Sequence, residues 1–189
     1  MNREPHHLIE EGDTPMTWTS YRTRGEILRA VISEADARRD GLLPWDVEGV
    51  ADSFGDELTL LGALQLRWHT RLAGRIEREL MARPMAFEDA VVDAWRATAA
   101  ELPGVRAIVD HHRAHPLDDA MALAMDKAVA KERILLAVMA GQASAHDAGA
   151  AAVGARLEEK ARTGWVLAPV PEPTTPTSLL GRLKAAFAA

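Results

Sequence analysis

The apolar residues of this chain follow a helical period most clearly between Phe54 and Ala82, a stretch without proline. At about 100° per residue, its large apolar side chains fall within an arc of about 120° on one face. These side chains are Phe54, Leu58, Leu61, Trp68, Leu72, Ile76 and Leu80. Because a helix of this length cannot bury its apolar face alone, the pattern predicts a long central helix covered by several shorter helices.

Shorter segments with the same period surround this helix and are separated by proline, glycine and polar residues. Their predicted ranges are about 23–41, 87–101, 105–114, 117–140 and 144–163. Alternating apolar and polar positions, which are typical of half-buried strands, do not occur, and β-branched residues are sparse. We therefore expect an all-α fold, a bundle of about five to six helices that occupies residues 17–164.

The two ends of the chain differ in composition from its middle. Residues 1–16 are polar and aperiodic and hold two prolines, which predicts a flexible N-terminal extension. Residues 165–177 are rich in proline and predict an extended linker. The last segment, 178–189, predicts a short amphipathic helix whose apolar side carries Leu179, Leu180, Leu183 and Phe187.

The apolar side of this tail helix has the spacing that helix-in-groove ligands use, so we interpret it as a docking peptide for a protein partner. Two alternatives remain open: the tail folds back on its own bundle or frays, or it attaches weakly to a membrane surface. The membrane alternative is the weakest, because two positive charges and one phenylalanine give little affinity for lipid. Self-association of the bundle into a homo-oligomer is a further partner hypothesis.

Composition and charge narrow the range of possible functions and locations. The 189 residues carry a net charge of -6, which disfavours broad binding to nucleic acid because an acidic surface repels phosphate. No run of the sequence reaches the roughly 20 apolar residues needed to span a bilayer. The chain has no cysteine, which excludes disulfides and thiolate chemistry, and its N-terminus lacks the pattern of a secretory signal. We therefore expect a cytoplasmic protein.

A few polar residues occupy helix positions where the apolar period predicts a core residue. In helical projection Glu132 lies in the middle of an apolar stripe, His112 lies between two apolar neighbours, and His69 lies at the edge of the long helix's arc. A carboxylate in an apolar seam is costly unless it is paired, hydrogen-bonded or bound to a metal ion. These residues therefore support two hypotheses.

The first hypothesis is a satisfied internal network, in which Glu132 accepts hydrogen bonds from a histidine or an arginine. The second is a site for a small ligand, a divalent metal ion or iron, formed by His69, His112 and Glu132 with His115 as a further candidate. His115 lies one turn after His111, on the same helix face. None of the predicted helices carries a Glu-x-x-His motif of the kind that di-iron bundles use, and the sequence has no His-Glu-x-x-His motif, which weighs against the metal.

A basic stripe runs beside the apolar arc of the long helix. Its members fall within about 80° of one another and are Arg67, Arg71, Arg75 and Arg78. Such a stripe can bind an acidic partner or a phosphate group, or it can be a solvated face paired with neighbours such as Glu77 and Glu79. We favour the solvated face.

The sequence lacks the motifs of nucleophilic catalysis, with no Gly-x-Ser-x-Gly turn and no glycine-rich phosphate loop. We therefore lean towards a protein without enzymatic activity. The preferred interpretation is a helical interaction or scaffold protein that engages a protein partner, with the tail helix as the docking element. The alternative is a helical bundle that binds a metal ion or small ligand through inward-facing His and Glu side chains.

Overall fold

The computed structural model describes residues 17–166, with side chains from residue 23 onward. These residues form seven α-helices and no strand, which confirms the all-α prediction. The helices are α1 (Thr17–Arg38), α2 (Val50–Phe54), α3 (Glu57–Ala82), α4 (Phe87–Glu101), α5 (Pro103–Ala114), α6 (Asp119–Met139) and α7 (Ala150–Arg162). The additional helix, relative to the predicted five to six, is the short α2.

The long central helix α3 begins later than the apolar pattern predicted. Phe54 belongs to α2, and Gly55 follows that helix with a φ of 76°, a left-handed value that suits glycine. Asp56 then caps α3, since its carboxylate accepts a hydrogen bond of 2.6 Å from the backbone N–H of Thr59. The chain therefore turns between Phe54 and Glu57, and the prediction of one continuous helix from Phe54 was wrong.

The buried face of α3 is also wider than the predicted arc. Its buried residues are Leu60, Leu61, Leu64, Trp68, Leu72 and Ile76. Leu60 and Leu64 share the angular sector of the basic stripe, yet both are fully buried. The cause is a change of neighbours along the helix, because α3 packs against α1, α2, α4, α5 and α6. One angular arc cannot describe a helix whose two halves face different partners.

Two helix pairs approach closely where a glycine removes the side chain. Gly154 of α7 lies against α6, and a Cβ atom there would be 1.8 Å from the carbonyl oxygen of Arg133. Gly104 of α5 lies against α1 in the same way, with a Cβ position 2.1 Å from the carbonyl carbon of Ala35. The pairs α6–α7 and α1–α5, together with α3–α4, enclose the hydrophobic core.

The other helix predictions differ from the structure mainly at helix ends. The bounds of α4 match the prediction, whereas α1 begins at Thr17 rather than Thr23. The last helix begins at Ala150, and Ser144, its predicted start, lies in the preceding loop. Phe87, the first residue of α4, is a large apolar side chain that is nevertheless 48% exposed. Helix ends depend on caps and on neighbouring elements, which the apolar period does not register.

The predictions for residues 1–16, and for the linker and tail from residue 167 onward, lie outside the described residues. The tail residues Leu179, Leu180, Leu183 and Phe187 are among them, so their role stays a prediction. Within the described part of the chain, no helix is both long and apolar enough to cross a bilayer.

Candidate functional site

Glu132 of α6 lies inside the bundle, with 6% of its surface exposed. Its carboxylate accepts hydrogen bonds from two buried indoles: Nε1–H of Trp68 donates to Oε2 at 3.1 Å, and Nε1–H of Trp95 donates to Oε1 at 3.0 Å. Nε2 of His69 lies 3.5 Å from Oε2, and Nη1 of Arg106 lies 3.6 Å from Oε1. Each carboxylate oxygen therefore has one indole donor and one basic neighbour, which satisfies a group that would be costly to bury alone.

Arg106 of α5 is the buried cation beside this carboxylate, with 1% of its side chain exposed. Its guanidinium lies over two indole rings, 4.7 Å from the ring centre of Trp68 and 5.9 Å from that of Trp95. Its Nη2–H donates to Asp110 Oδ1 at 2.7 Å, and Asp110 also accepts two hydrogen bonds from Arg162 of α7. Nε and Nη1 of Arg106 have no acceptor among the described residues, so ring faces and nearby carboxylates stabilise this cation.

A second buried carboxylate extends these contacts to α7. Glu158 accepts hydrogen bonds from Arg113, Arg133 and Arg162, with N–O distances of 2.9, 2.9 and 3.0 Å. Because the three arginines lie on α5, α6 and α7, one carboxylate joins three helices. We use the name inner network for the set Trp68, Trp95, Arg106, Asp110, Arg113, Glu132, Arg133, Glu158 and Arg162.

The basic groups of the inner network, together with His69, keep its carboxylates ionised. Burial raises the pKa of Glu132, but the hydrogen bond with His69 and the charge of Arg106 outweigh burial and lower the pKa from 4.5 to about 2. Burial of Glu158 is likewise outweighed, first by the hydrogen bond from Arg133, and its pKa is lowered. A general acid or base needs a pKa near the working pH, so these carboxylates are poorly suited to proton transfer at neutral pH.

The structure brings together two of the residues proposed to bind a metal, His69 and Glu132. His112 is buried, and its Nδ1 lies 3.0 Å from a carbonyl oxygen one turn earlier in its own helix. His115 is exposed at the end of α5, with its ring centre 5.2 Å from that of His111. Within the described residues, no group of three or more His, Asp or Glu side chains is arranged to hold a metal ion. A metal at Glu132 would also have to displace indole donors from its oxygens.

The basic stripe divides into paired and unpaired arginines. Arg71 and Arg75 both bind the carboxylate of Glu101 on α4, and Nη2 of Arg75 lies 3.1 Å from Oε2. Arg67 and Arg78 are exposed and form no ion pair within residues 23–166. Two of the four arginines in the stripe are therefore paired with a residue of α4 rather than with acidic neighbours on α3. Arg67 instead lines a surface feature of the bundle.

That feature is an open groove of about 990 Å³ between α1, α2 and α3, which we call the α1–α3 groove. Its apolar lining consists of Leu28, Phe54, Ala63 and Leu66, and its polar lining includes Thr23, Arg24, Asp52, Ser53, Thr59, Arg67 and Thr70. Leu66 is 69% exposed, and the guanidinium of Arg24 lies 4.8 Å from the ring centre of Phe54. Leu28 and Ala63 are half-buried and Phe54 is buried, so the groove combines one exposed leucine with two arginines.

Sequence reasoning missed both Arg106 and the groove. In helical projection Arg106 lies away from the apolar face of its helix, so the period predicts an exposed side chain. One signal was present in the tryptophans, because Trp68 and Trp95 lie on apolar faces and each indole N–H needs an acceptor. For the groove the signal was Leu66, a leucine well away from the predicted arc of the long helix.

Two features of the described residues thus bear on function. The polar groups of the inner network bind one another, whereas the α1–α3 groove leaves the apolar side chain of Leu66 exposed to solvent. Comparisons of the chain with family models, curated proteins and solved structures give no match.

Proposed function

We propose that this protein is a non-enzymatic interaction protein, which receives an amphipathic segment of a protein partner in the α1–α3 groove. The observation that carries the proposal is Leu66, a leucine that is 69% exposed on the wall of a groove between three helices. Large apolar side chains that line an open concavity are a feature of docking sites, because covering them releases ordered water and gains free energy.

The size and shape of the groove suit a segment of polypeptide. Its volume of about 990 Å³ lies at the upper end of ordinary ligand pockets. An amphipathic helix presents apolar side chains at every third or fourth position, and these can enter such a groove while the polar face stays in water. The walls that would contact them are Leu28 on α1, Phe54 on α2 and Leu66 on α3.

The charges of the groove indicate the chemistry of the partner segment. Arg24 and Arg67 line the groove, and Asp52 is the acidic residue among the lining side chains. This balance is positive in a chain whose net charge is -6. Because complementary charges select and orient partners, we expect a segment that carries carboxylates beside its apolar residues.

The inner network supports a role without catalysis. A catalytic group has to reach its substrate with a free donor, acceptor or nucleophilic atom. Glu132 and Glu158 instead direct their carboxylates to tryptophan and arginine donors inside the bundle. We interpret this network as the structural centre that holds α3 to α7 together.

A pair of matched variants tests the groove. Leu66→Glu places a carboxylate on the groove wall, and Leu123→Glu is the control, because Leu123 is 56% exposed on α6 outside the groove. Both positions are exposed, so neither change should alter folding by more than about 0.5 kcal/mol. We expect a partner isolated with the wild-type chain to bind Leu123→Glu normally and to bind Leu66→Glu at least tenfold more weakly, as measured by titration calorimetry. Equal affinity for the two variants would contradict the proposal.

The same variants identify a second copy of this chain as the occupant, the homo-oligomer predicted above. In that case sedimentation would show a dimer that forms at high concentration and that Leu66→Glu dissociates.

The tail needs its own test, since it lies outside the described residues. Deletion of residues 178–189 should remove a partner that docks on the tail helix, and an unchanged set of partners would count against tail docking while leaving the groove proposal intact. The cytoplasmic location stays a prediction.

A further inference from the structure

We infer that the α1–α3 groove is occupied in cis by the chain's own N-terminal segment, residues 8–13, which competes with the partner for this site. The inference rests on the proposed function of the groove and adds its regulation. Three observations support this occupant: the length of chain between segment and groove, the apolar residues of the segment, and the match of charges.

The segment is long enough to reach the groove. The groove wall begins at Thr23, six residues after the start of α1 at Thr17, which is about 9 Å along the helix axis. The nine residues from Leu8 to α1 can extend over about 30 Å. Gly12 and Pro15 lie between them and favour a reversal of chain direction. The chain between Leu8 and α1 is therefore long enough for the segment to reach the groove.

The segment has the chemistry that the groove requires. Leu8 and Ile9 supply two apolar side chains, and Glu10 and Glu11 follow directly with two carboxylates. These carboxylates complement the two arginines of the groove. Asp52 is a single negative charge against two arginines, so the charge of the groove lining stays positive. Apolar residues with adjacent carboxylates are also what we expect in the partner segment.

The C-terminal tail fits the same groove less well. Residues 178–189 carry Arg182 and Lys184 and contain no acidic side chain. Their positive charges would lie beside Arg24 and Arg67, and like charges at close range oppose binding. The charge pattern therefore favours the N-terminal segment over the tail, although both have apolar residues.

Disulfide trapping tests the inference directly, because the chain has no cysteine of its own. The test variant combines Leu8→Cys with Thr70→Cys, an exposed position in the groove. The control combines Leu8→Cys with Arg156→Cys, an exposed position on α7, which packs on α4 and α6. At dilute protein concentration the cross-linking rate reports effective concentration, so we expect the groove pair to close at least tenfold faster than the control pair.

Charge reversal adds a second readout. Glu10→Lys with Glu11→Lys, made in the groove-pair background, should slow cross-linking to the rate of the control pair. Equal rates for groove and control pairs would overturn the inference. So would faster trapping of Thr70→Cys by Leu183→Cys, which would make the tail the occupant.

The two proposals fail separately. If trapping shows no preference but Leu66→Glu still weakens partner binding, the cis inference falls and the groove function stands. If trapping succeeds but Leu66→Glu binds partners as Leu123→Glu does, the cis contact stands and the partner site lies elsewhere.

Discussion

The buried carboxylate of Glu132 offers the sharpest test of how the inner network stabilises the fold. The substitution Glu132→Gln keeps the size of the side chain and removes its charge. The glutamine carbonyl can still accept from one indole, while its amide group faces the second indole donor. Arg106, with 1% of its side chain exposed, loses a carboxylate neighbour at 3.6 Å and keeps Asp110.

The size of the effect follows from the pKa of Glu132. A shift from 4.5 to about 2 corresponds to about 3 kcal/mol of preference for the ionised form in the folded state. An indole N–H left without an acceptor costs about 1–3 kcal/mol more. We therefore expect Glu132→Gln to lower the free energy of unfolding by about 4–6 kcal/mol near pH 7, at or slightly above the range of about 3–5 kcal/mol for breaking a buried pair.

The pH dependence has a definite sign. The pKa of Glu132 is lower in the folded state, so its stabilising contribution is complete above about pH 4.5 and is lost as pH falls towards 2. The difference in stability between wild type and Glu132→Gln should therefore be largest at neutral pH and should shrink below pH 4.5. Other carboxylates titrate in both proteins, so their contributions largely cancel in this difference.

Urea unfolding followed by helical circular dichroism measures both quantities at a series of pH values. Glu77→Gln serves as the control, because Glu77 is exposed on α3 and its substitution should change stability by no more than about 0.5 kcal/mol. The reasoning would be refuted if Glu132→Gln were as stable as wild type near pH 7. It would also be refuted if the difference between them did not change down to about pH 3.

Three further stability predictions use the same unfolding assay. Gly154→Ala should destabilise the protein by about 3 kcal/mol, because the added Cβ would meet a carbonyl oxygen of α6. Gly62→Ala, with open space around its Cβ, should stabilise it by about 0.5–1 kcal/mol, and equal effects of the two substitutions would contradict close packing of α6 and α7. Asp118→Ala should cost about 1 kcal/mol, since its carboxylate caps the first turn of α6, and Asp118→Asn should restore most of the loss. Arg96→Ala should cost about 1–2 kcal/mol and increase amide exchange at the end of α7, where Arg96 donates to three carbonyl oxygens; unchanged exchange there would argue against this cap.

The candidate site was partly readable from the helical period. The period placed Glu132 and His112 on inward faces, and they are 6% and 4% exposed. It could not identify the donors to Glu132, because Trp68 and Trp95 lie 64 and 37 positions away along the chain. It also predicted an exposed side chain for Arg106, because the angular position of a residue on its helix does not reveal that α5 has neighbours on more than one side.

The sequence by itself determined the all-α class, most of the apolar face of each main helix and the breaks at proline and glycine between helices, because these properties depend on a few neighbouring residues. Tertiary structure decided the rest. It buried Leu60 and Leu64 in the sector of the basic stripe, assembled the inner network from five helices, and left Leu66 exposed beside α1 and α2. The physical reason is that burial and charge pairing depend on which helices meet in space, and the period of one helix holds no information about its neighbours.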